Sequence, residues 1–392
     1  MHLDHTDEQR ALRDELRAYF AALLTDAVRE KLAGPGEGGE TYREIVRQLG
    51  RDGWLGIGWP VEHGGQGRPA THQFIFYDEA QRAGAPIPLV TLNTVGPTIM
   101  RIGSPQQKER FLAPILRGEL HVAIGYTEPD AGTDLASLRT RAVRDGDEYV
   151  VNGTKIFTSG ANDADFIWLA CRTDPDAPKH KGISILLVPT SSPGFRCTPI
   201  LTVGAIRTNT TYYDDVRVPA ANLVGAEDAG WQMITTQLNH ERVALAALGG
   251  SAHRLFEETT AYAAQTSAGA GVRLIDLPWV QSELARAFAR LEAMKLLSWR
   301  MTADLEADTL QPADASAAKV YGTECLIDVY RTLLGIIGAA GYLVADSPGA
   351  ALHGELELNA RRAQINTFGG GVNEIQREIV ATLGLGMPRS GR

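Results

Sequence analysis

The sequence predicts an α+β chain built in three consecutive blocks: helices, then a strand-rich barrel or sandwich, then a helical bundle. Three observations predict it. Apolar residues recur at helical spacing from residue 8 to 120, the period shifts towards two from about 121 to 222, and helical spacing returns from 228 onward. Because strands do not alternate with helices, a doubly wound nucleotide fold is not expected. A chain of 392 residues is long enough for two or three domains. The expected boundaries are 1–120, 121–225 and 226–392.

The elements follow in order. In "QRALRDELRAYFAALL", Leu12, Leu16, Tyr19, Phe20 and Leu23 lie on one helical face. "WPVEHGGQGRPA" interrupts with Pro60, Gly64, Gly65 and Gly67, and a later helix starts at Pro105 behind a capping Ser104. Asp145-Gly146 and Asn152-Gly153 predict two hairpin turns around short β-rich runs. "FIWLAC", "ISILLVP" and "YYDDVRVP" continue as strands. Val280, Leu284, Phe288, Leu291, Met294 and Leu297 step by three or four along a bundle helix, and "TSAGAGV" (Thr266 to Val272) reads as a loop.

Composition narrows the function. A net charge of −9 argues against a nucleic-acid surface or an anionic membrane as main partner. Cys171, Cys197 and Cys325 are scattered and form no CxxC, so neither a disulfide frame nor a zinc site is expected; a reducing cytoplasm is the natural setting. The polar start "MHLDHTDEQR" is not a signal peptide, and no membrane span is expected.

The chemistry-bearing motifs are few. The phosphate-loop, dinucleotide, nucleophile-elbow and zinc-protease patterns are absent from the sequence. "GYTEPDAGTD" (Gly125 to Asp134) offers backbone N–H groups and hydroxyls to a polar ligand, or is a tight interdomain turn. In "LNHERVALAALGG", Glu241 shares a helical face with Leu238, Leu245, Leu248 and Ala252. A carboxylate in an apolar stripe is either a general base with a raised pKa or a glutamate at the helix edge; pattern alone leaves both open.

Four stretches in order, "YTEPDAGTD", "DGDEYVVNGTKIFTSG", "DDVRVPAANLVG" and "NEIQREIVATLGLGMPR", resemble the acyl-CoA dehydrogenase family over essentially the whole chain. The resemblance implies an N-terminal α-helical domain, a middle β-barrel domain and a C-terminal four-helix bundle. It implies FAD between β-domain and bundle, and α,β-dehydrogenation of an acyl-CoA, with electron-transfer flavoprotein as acceptor. Tyr126 and Thr127 would line the flavin ring. Gly132 and Thr133 would contact flavin and the CoA side of the substrate. Phe157 stands where the family has an aromatic residue on the ring, usually Trp, and Thr158 or Ser159 would reach the flavin edge.

Two departures sharpen the resemblance. Many family members carry the base shortly before the Ile-Gln-Arg segment, and that position here is Gly370. Its N–H would still polarise the thioester carbonyl. The isovaleryl and long-chain branches instead place a glutamate before an arginine on a bundle helix, which Glu241 and Arg242 match; Arg242 and Asn239 would then lie near substrate and CoA. The residues that family subunits lend to a neighbour's FAD are missing. No matching arginine stands in "TSAGAGVR", and Gly335 replaces a glutamine in "GIIGAAG". The resemblance is therefore to actinobacterial steroid side-chain dehydrogenase subunits that assemble as α2β2 heterotetramers with a homologous partner. A non-catalytic partner subunit and an acyl-CoA oxidase on the same fold are the alternatives.

Overall fold

Thr6 starts the first helix, α1 (Asp7–Leu23): its side chain accepts from the Gln9 N–H, while Gln9 returns a bond to the Thr6 N–H. The computed structural model describes residues 4–32, 38–235 and 249–389. Leu12, Leu16 and Phe20 bury the inward face of α1, with Tyr19 and Leu23 at its margin. Helices α2 (Asp26–Leu32), α3 (Glu40–Arg51), α4 (Ala70–Ala83), α5 (Gly96–Ile102) and α6 (Pro105–Leu116) complete the first block. Ser104 caps α6 through a reciprocal bond with Gln107, with Pro105 at the first turn, as expected.

Eight strands form the middle block: β1 (Val122–Gly125), β2 (Arg141–Asp145), β3 (Glu148–Lys155), β4 (Phe166–Arg172), β5 (Ile183–Pro189), β6 (Phe195–Leu201), β7 (Arg207–Pro219) and β8 (Leu223–Val224). They make one hydrogen-bonded path, β6-β7-β3-β2-β4-β5-β8, with β1 parallel to β4. Gly146 takes φ +62° in the turn between β2 and β3, so the first expected hairpin turn forms. The second does not. Asn152 and Gly153 lie inside β3, where the register with β7 shifts between Val151 and Gly153. Gly153 is needed there because a Cβ would stand 2.5 Å from the Thr140 hydroxyl. The Asn-Gly pair therefore marks a bulge and a close approach, not a reversal.

β4 and β5 read as unbroken apolar runs because both faces are covered. Ile167, Leu169, Leu186 and Val188 point into the strand block, while Trp168, Ala170, Ile185 and Leu187 join the core of the helical block. Polar clamps lock the same contact. The Gln107 amide donates to the carbonyls of Ala221 and Leu223, and Arg43 pairs with Asp163 and Asp165.

The third block contains α7 (Gly249–Gln265), α8 (Pro278–Glu306), α9 (Pro312–Ile337), α10 (Glu355–Ala363) and α11 (Asn373–Ile379). Val280, Leu284, Leu291 and Met294 face its core as expected, but Phe288 points outward. "TSAGAGV" is not an irregular loop. Ser267–Gly269 (β9) and Val272–Arg273 (β10) pair as a small hairpin, with Gly269 and Gly271 at positive φ. The stretch Pro312–Tyr342 is long and apolar enough by composition to cross a membrane, as a buried core helix of a bundle also is. It holds the central helix of the bundle, α9, whose buried residues include Leu326, Val329 and Leu333. α7 docks on α4 at backbone distance: a Cβ on Gly250 would stand 2.3 Å from the Asp78 carbonyl oxygen.

Candidate active site

The motif "GYTEPDAGTD" folds as a tight reversal. Glu128 and Ala131 exchange backbone hydrogen bonds of 3.0 and 3.1 Å. Thr127 and Gly132 thereby come side by side, so that a Cβ on Gly132 would sit 3.9 Å from Thr127 Cγ2. One ion pair fixes this reversal to the strands. The Glu128 carboxylate accepts from the Arg139 N–H (2.7 Å), the Thr140 N–H (2.8 Å) and Lys155 Nζ (2.8 Å). Lys155 also donates to the Tyr126 carbonyl at 2.9 Å. Lys155 is 0% exposed, and an unpaired charge at such depth would be strongly unfavourable. Burial works against the Glu128 charge, but Lys155 and the Thr140 donors outweigh it and hold the carboxyl below its ordinary range.

Beyond Lys155 the chain forms a lip. The Ile156 N–H donates to the Thr127 carbonyl at 2.8 Å, which joins the two loops. Phe157 then takes φ +60° and leaves its ring 58% exposed. A bulky residue in the left-handed region with an exposed ring is strained and unburied at once, the pattern of a residue held ready for a ligand. Thr158 is turned inward. Its N–H donates to the Asn209 carbonyl (2.9 Å), its carbonyl accepts from Asn209 Nδ2 (3.0 Å), and its hydroxyl lies 3.4 Å from that of Thr211. Of the pair expected at a flavin edge, the Thr158 side chain is consumed by the strand interior, and Ser159 is the exposed one. Its hydroxyl donates to Thr208 at 3.2 Å. Tyr126 lies half-buried beneath, its hydroxyl accepting from the Trp168 indole at 3.0 Å. Thr133 is exposed beside Gly132.

The bundle contributes a second loop. Gly370 and Gly371 take φ +65° and +97°, conformations that favour glycine. A Cβ on Gly371 would stand 2.6 Å from Gln376 Nε2. Lys319, buried on α9, donates to the Gly371 carbonyl (2.7 Å) and to Asn373 Oδ1 (2.8 Å). Asn373 in turn donates to Thr323 and Glu324, and Glu324 pairs with Arg377. Glu374 is exposed. α10, which leads into this loop, is tied to the strand block by Arg361 and Arg362, which donate to the carbonyls of Val203 and Gly204.

Glu241, Asn239 and Arg242 lie outside the described residues. The described chain resumes with α7, packed on α4 at Asp78, whose carboxyl burial pushes up to about 7. Sequence reasoning missed Glu128, Lys155 and Lys319. For Lys319 a signal was present: Ala315, Lys319, Gly322, Leu326, Val329 and Leu333 form one buried stripe on α9. For Glu128 and Lys155, both already inside quoted motifs, nothing in local spacing pairs residues 27 apart. Among the described residues no cluster of ligands could hold a metal ion.

The two regions expected to serve a neighbour are also placed. Arg273, at the end of the β9–β10 hairpin, is held by both carboxylate oxygens of Asp276 at 2.8 Å. Among the described residues no atom lies within 4 Å of a notional Cβ on Gly335, so none of them requires glycine there.

Helices, a sheet-built lip and a helical bundle together define a three-part fold with a ligand-ready face between its blocks. Family models for acyl-CoA dehydrogenase match over residues 6–119 (N-terminal domain), 123–216 (middle domain) and 228–384 (C-terminal domain). The acyl-CoA dehydrogenase FadE26 of Mycobacterium tuberculosis is 51% identical, with both chains covered in full. Among solved structures, the Tcur3481-Tcur3483 steroid ACAD superposes with a TM-score of 0.95 at 57% identity, covering 100% of both chains. The ChsE4-ChsE5 complex from Mycobacterium tuberculosis gives 0.94 at 52% identity, again over 100% of both. The chain belongs to the acyl-CoA dehydrogenase family.

Proposed function

We propose that this chain is the base-carrying subunit of an FAD-dependent acyl-CoA dehydrogenase that introduces an α,β double bond into a bulky steroid side-chain CoA thioester. The observation that carries the reading is the pairing of a ligand-ready lip at Phe157 and Ser159 with a catalytic loop whose usual base position is the glycine Gly370. The lip suits a flat, polar-edged ring. Phe157 offers an exposed face, Thr127 and Ser159 offer hydroxyls, and two buried polar atoms nearby, Arg207 Nε and Asn209 Oδ1, have no hydrogen-bond partner among the described residues.

When bound, FAD supplies the two-electron acceptor that the dehydrogenation needs. The chain's own residues do the rest. Tyr126, Thr127, Gly132 and Ser159 hold the ring system, and Phe157 covers it. The Glu241 carboxylate removes the α-proton. The Gly370 N–H donates to the thioester carbonyl, making that proton more acidic. Thr133, Asn239 and Arg242 hold substrate and CoA. Gly370 in place of a carboxylate leaves room for bulk beside the reacting carbons. The steroid ACAD and the ChsE4-ChsE5 complex support the substrate class and the heteromeric α2β2 state. Electron-transfer flavoprotein is the acceptor that the family supports.

Glu241→Gln is the direct test. The variant keeps bound flavin but loses anaerobic bleaching by acyl-CoA; full bleaching would sink the reading. Co-expression with homologous subunits tests assembly. Two FAD per tetramer of mixed subunits is expected, and one FAD per subunit in a pure homotetramer would overturn it.

A further inference from the structure

Two consecutive residues of β7 grip two consecutive residues of the lip. Asn209 takes the backbone of Thr158: its carbonyl accepts the Thr158 N–H at 2.9 Å, and its Nδ2 donates to the Thr158 carbonyl at 3.0 Å. Thr208 takes the hydroxyl of Ser159 at 3.2 Å. Side chains alternate along a strand, so these two leave opposite faces of β7. The backbone of the lip beside the left-handed Phe157 is thus held without the Thr208 side chain. What Thr208 holds is a hydroxyl.

That hydroxyl is the one that Ser159 can turn to a ligand. Ser159 is exposed, and its N–H is spent on the Phe157 carbonyl at 3.0 Å. An exposed serine side chain turns among three rotamers. Thr208 is fixed: it is 4% exposed, branched at Cβ and laddered to Ile200 of β6. Among the described residues its hydroxyl has no partner besides Ser159. The contact is longer than the optimum of roughly 2.7–2.8 Å for two hydroxyls, so Ser159 is tethered and keeps capacity for a second bond. Ser159 is the donor here. Its oxygen is therefore left as an acceptor for what enters the lip.

We propose that Thr208 is a positioning residue: it draws the Ser159 proton away from the lip, so that Ser159 meets the flavin edge as an acceptor and favours the reduced ring. The inference rests on the proposed dehydrogenase reading. In that reaction the β-carbon of the thioester gives a hydrogen and both electrons to the ring nitrogen at this edge, and the α-proton goes to Glu241. The nitrogen changes from an acceptor to an N–H donor. A Ser159 held as an acceptor pairs with the second state and not the first, so Thr208 raises the reduction potential and pulls the dehydrogenation forward.

The midpoint potential of the flavin in the assembled holoenzyme tests this, read by spectroelectrochemical titration. Thr208→Val keeps the shape and removes the acceptor. It should make the potential about 30 mV more negative, a tenfold shift in a two-electron equilibrium, as one hydrogen bond would give. Thr208→Ala, with less demand on packing, should do the same, and Thr208→Ser should restore most of the wild-type potential. In a Ser159→Ala background, Thr208→Val should change nothing further, because Thr208 acts through Ser159. An unchanged potential in both Thr208→Val and Thr208→Ala, or an undiminished shift in the Ser159→Ala background, overturns the proposal. The dehydrogenase reading survives either result if acyl-CoA still bleaches the flavin anaerobically. The expected shifts in a flavoprotein that no acyl-CoA bleaches would refute that reading and leave the role of Thr208 standing. A complex that holds no flavin overturns both.

Discussion

Two buried lysines hold the two loops of this site, and they do it differently. Lys155 meets a full carboxylate, Glu128, at 2.8 Å. Lys319 meets a carbonyl and an amide oxygen, at 2.7 and 2.8 Å. The first is a closed ion pair that ties Tyr126, Thr140 and the end of β3 into one block. The second bonds neutral oxygens of a glycine loop, beside Asn373, which bonds Thr323 and Glu324. The lip is therefore held by a closed ion pair, whereas the Gly370 loop is held by hydrogen bonds from α9 and should respond to the loss of Lys319 with a change in chemistry more than in folding.

Lys155→Met should give the largest effect. It strands Glu128 in the interior and should cost about 3–5 kcal/mol in chemical denaturation, with much of the loss recovered in the double variant Glu128→Gln/Lys155→Met. Full loss in the double variant would show that packing, not charge, dominates. The same pair sets the sign of the acid response. Glu128 has a depressed folded pKa, so its contribution is complete above the ordinary glutamate pKa of roughly 4.3 and is lost as pH falls through the lower folded value. Glu128→Gln should flatten stability against pH in that acidic window.

Lys319→Met removes at least the bonds to the Gly371 carbonyl and Asn373 Oδ1, on the order of 1–3 kcal/mol in stability. Under the proposed function its main effect should be a drop in kcat with a small change in KM, because the Gly370 N–H would act on the reacting carbonyl. A pure KM effect would show that the loop binds substrate without polarising it. Gly371→Ala should cost a similar or smaller amount, about 1–2 kcal/mol, from the left-handed backbone and the crowded Gln376 amide. Gly335→Ala should be the mildest in the isolated chain, within about 0.5 kcal/mol, because its surroundings are open. If it weakens assembly with the proposed partner subunit in analytical ultracentrifugation, the space at residue 335 belongs to the neighbour.

Much of the fold was legible because each block keeps one period. Leu12, Leu16 and Phe20 announce α1, and Ser104-Pro105 announces α6, through local chemistry alone. Asn152-Gly153 misled for a physical reason: the same dipeptide serves a turn or a bulge, and only the approach of Thr140 decides between them. The lip residues were legible as motifs, but the inward turn of Thr158 depends on Asn209, 51 residues away. Phe288 fits the stripe of α8 by spacing yet faces outward, because the width of the buried stripe is set by the neighbouring helices.

The sequence by itself determined the three-block order, the helix starts, the glycine at 370 and the absence of a carboxylate there, since these depend on residue type and near neighbours. Tertiary structure alone decided that Glu128 and Lys155 form one ion pair and that Lys319 bonds the Gly370 loop. Each of these joins residues far apart in the chain, and burial, which gives a charge or an unpaired donor its energetic weight, exists only once the blocks are packed.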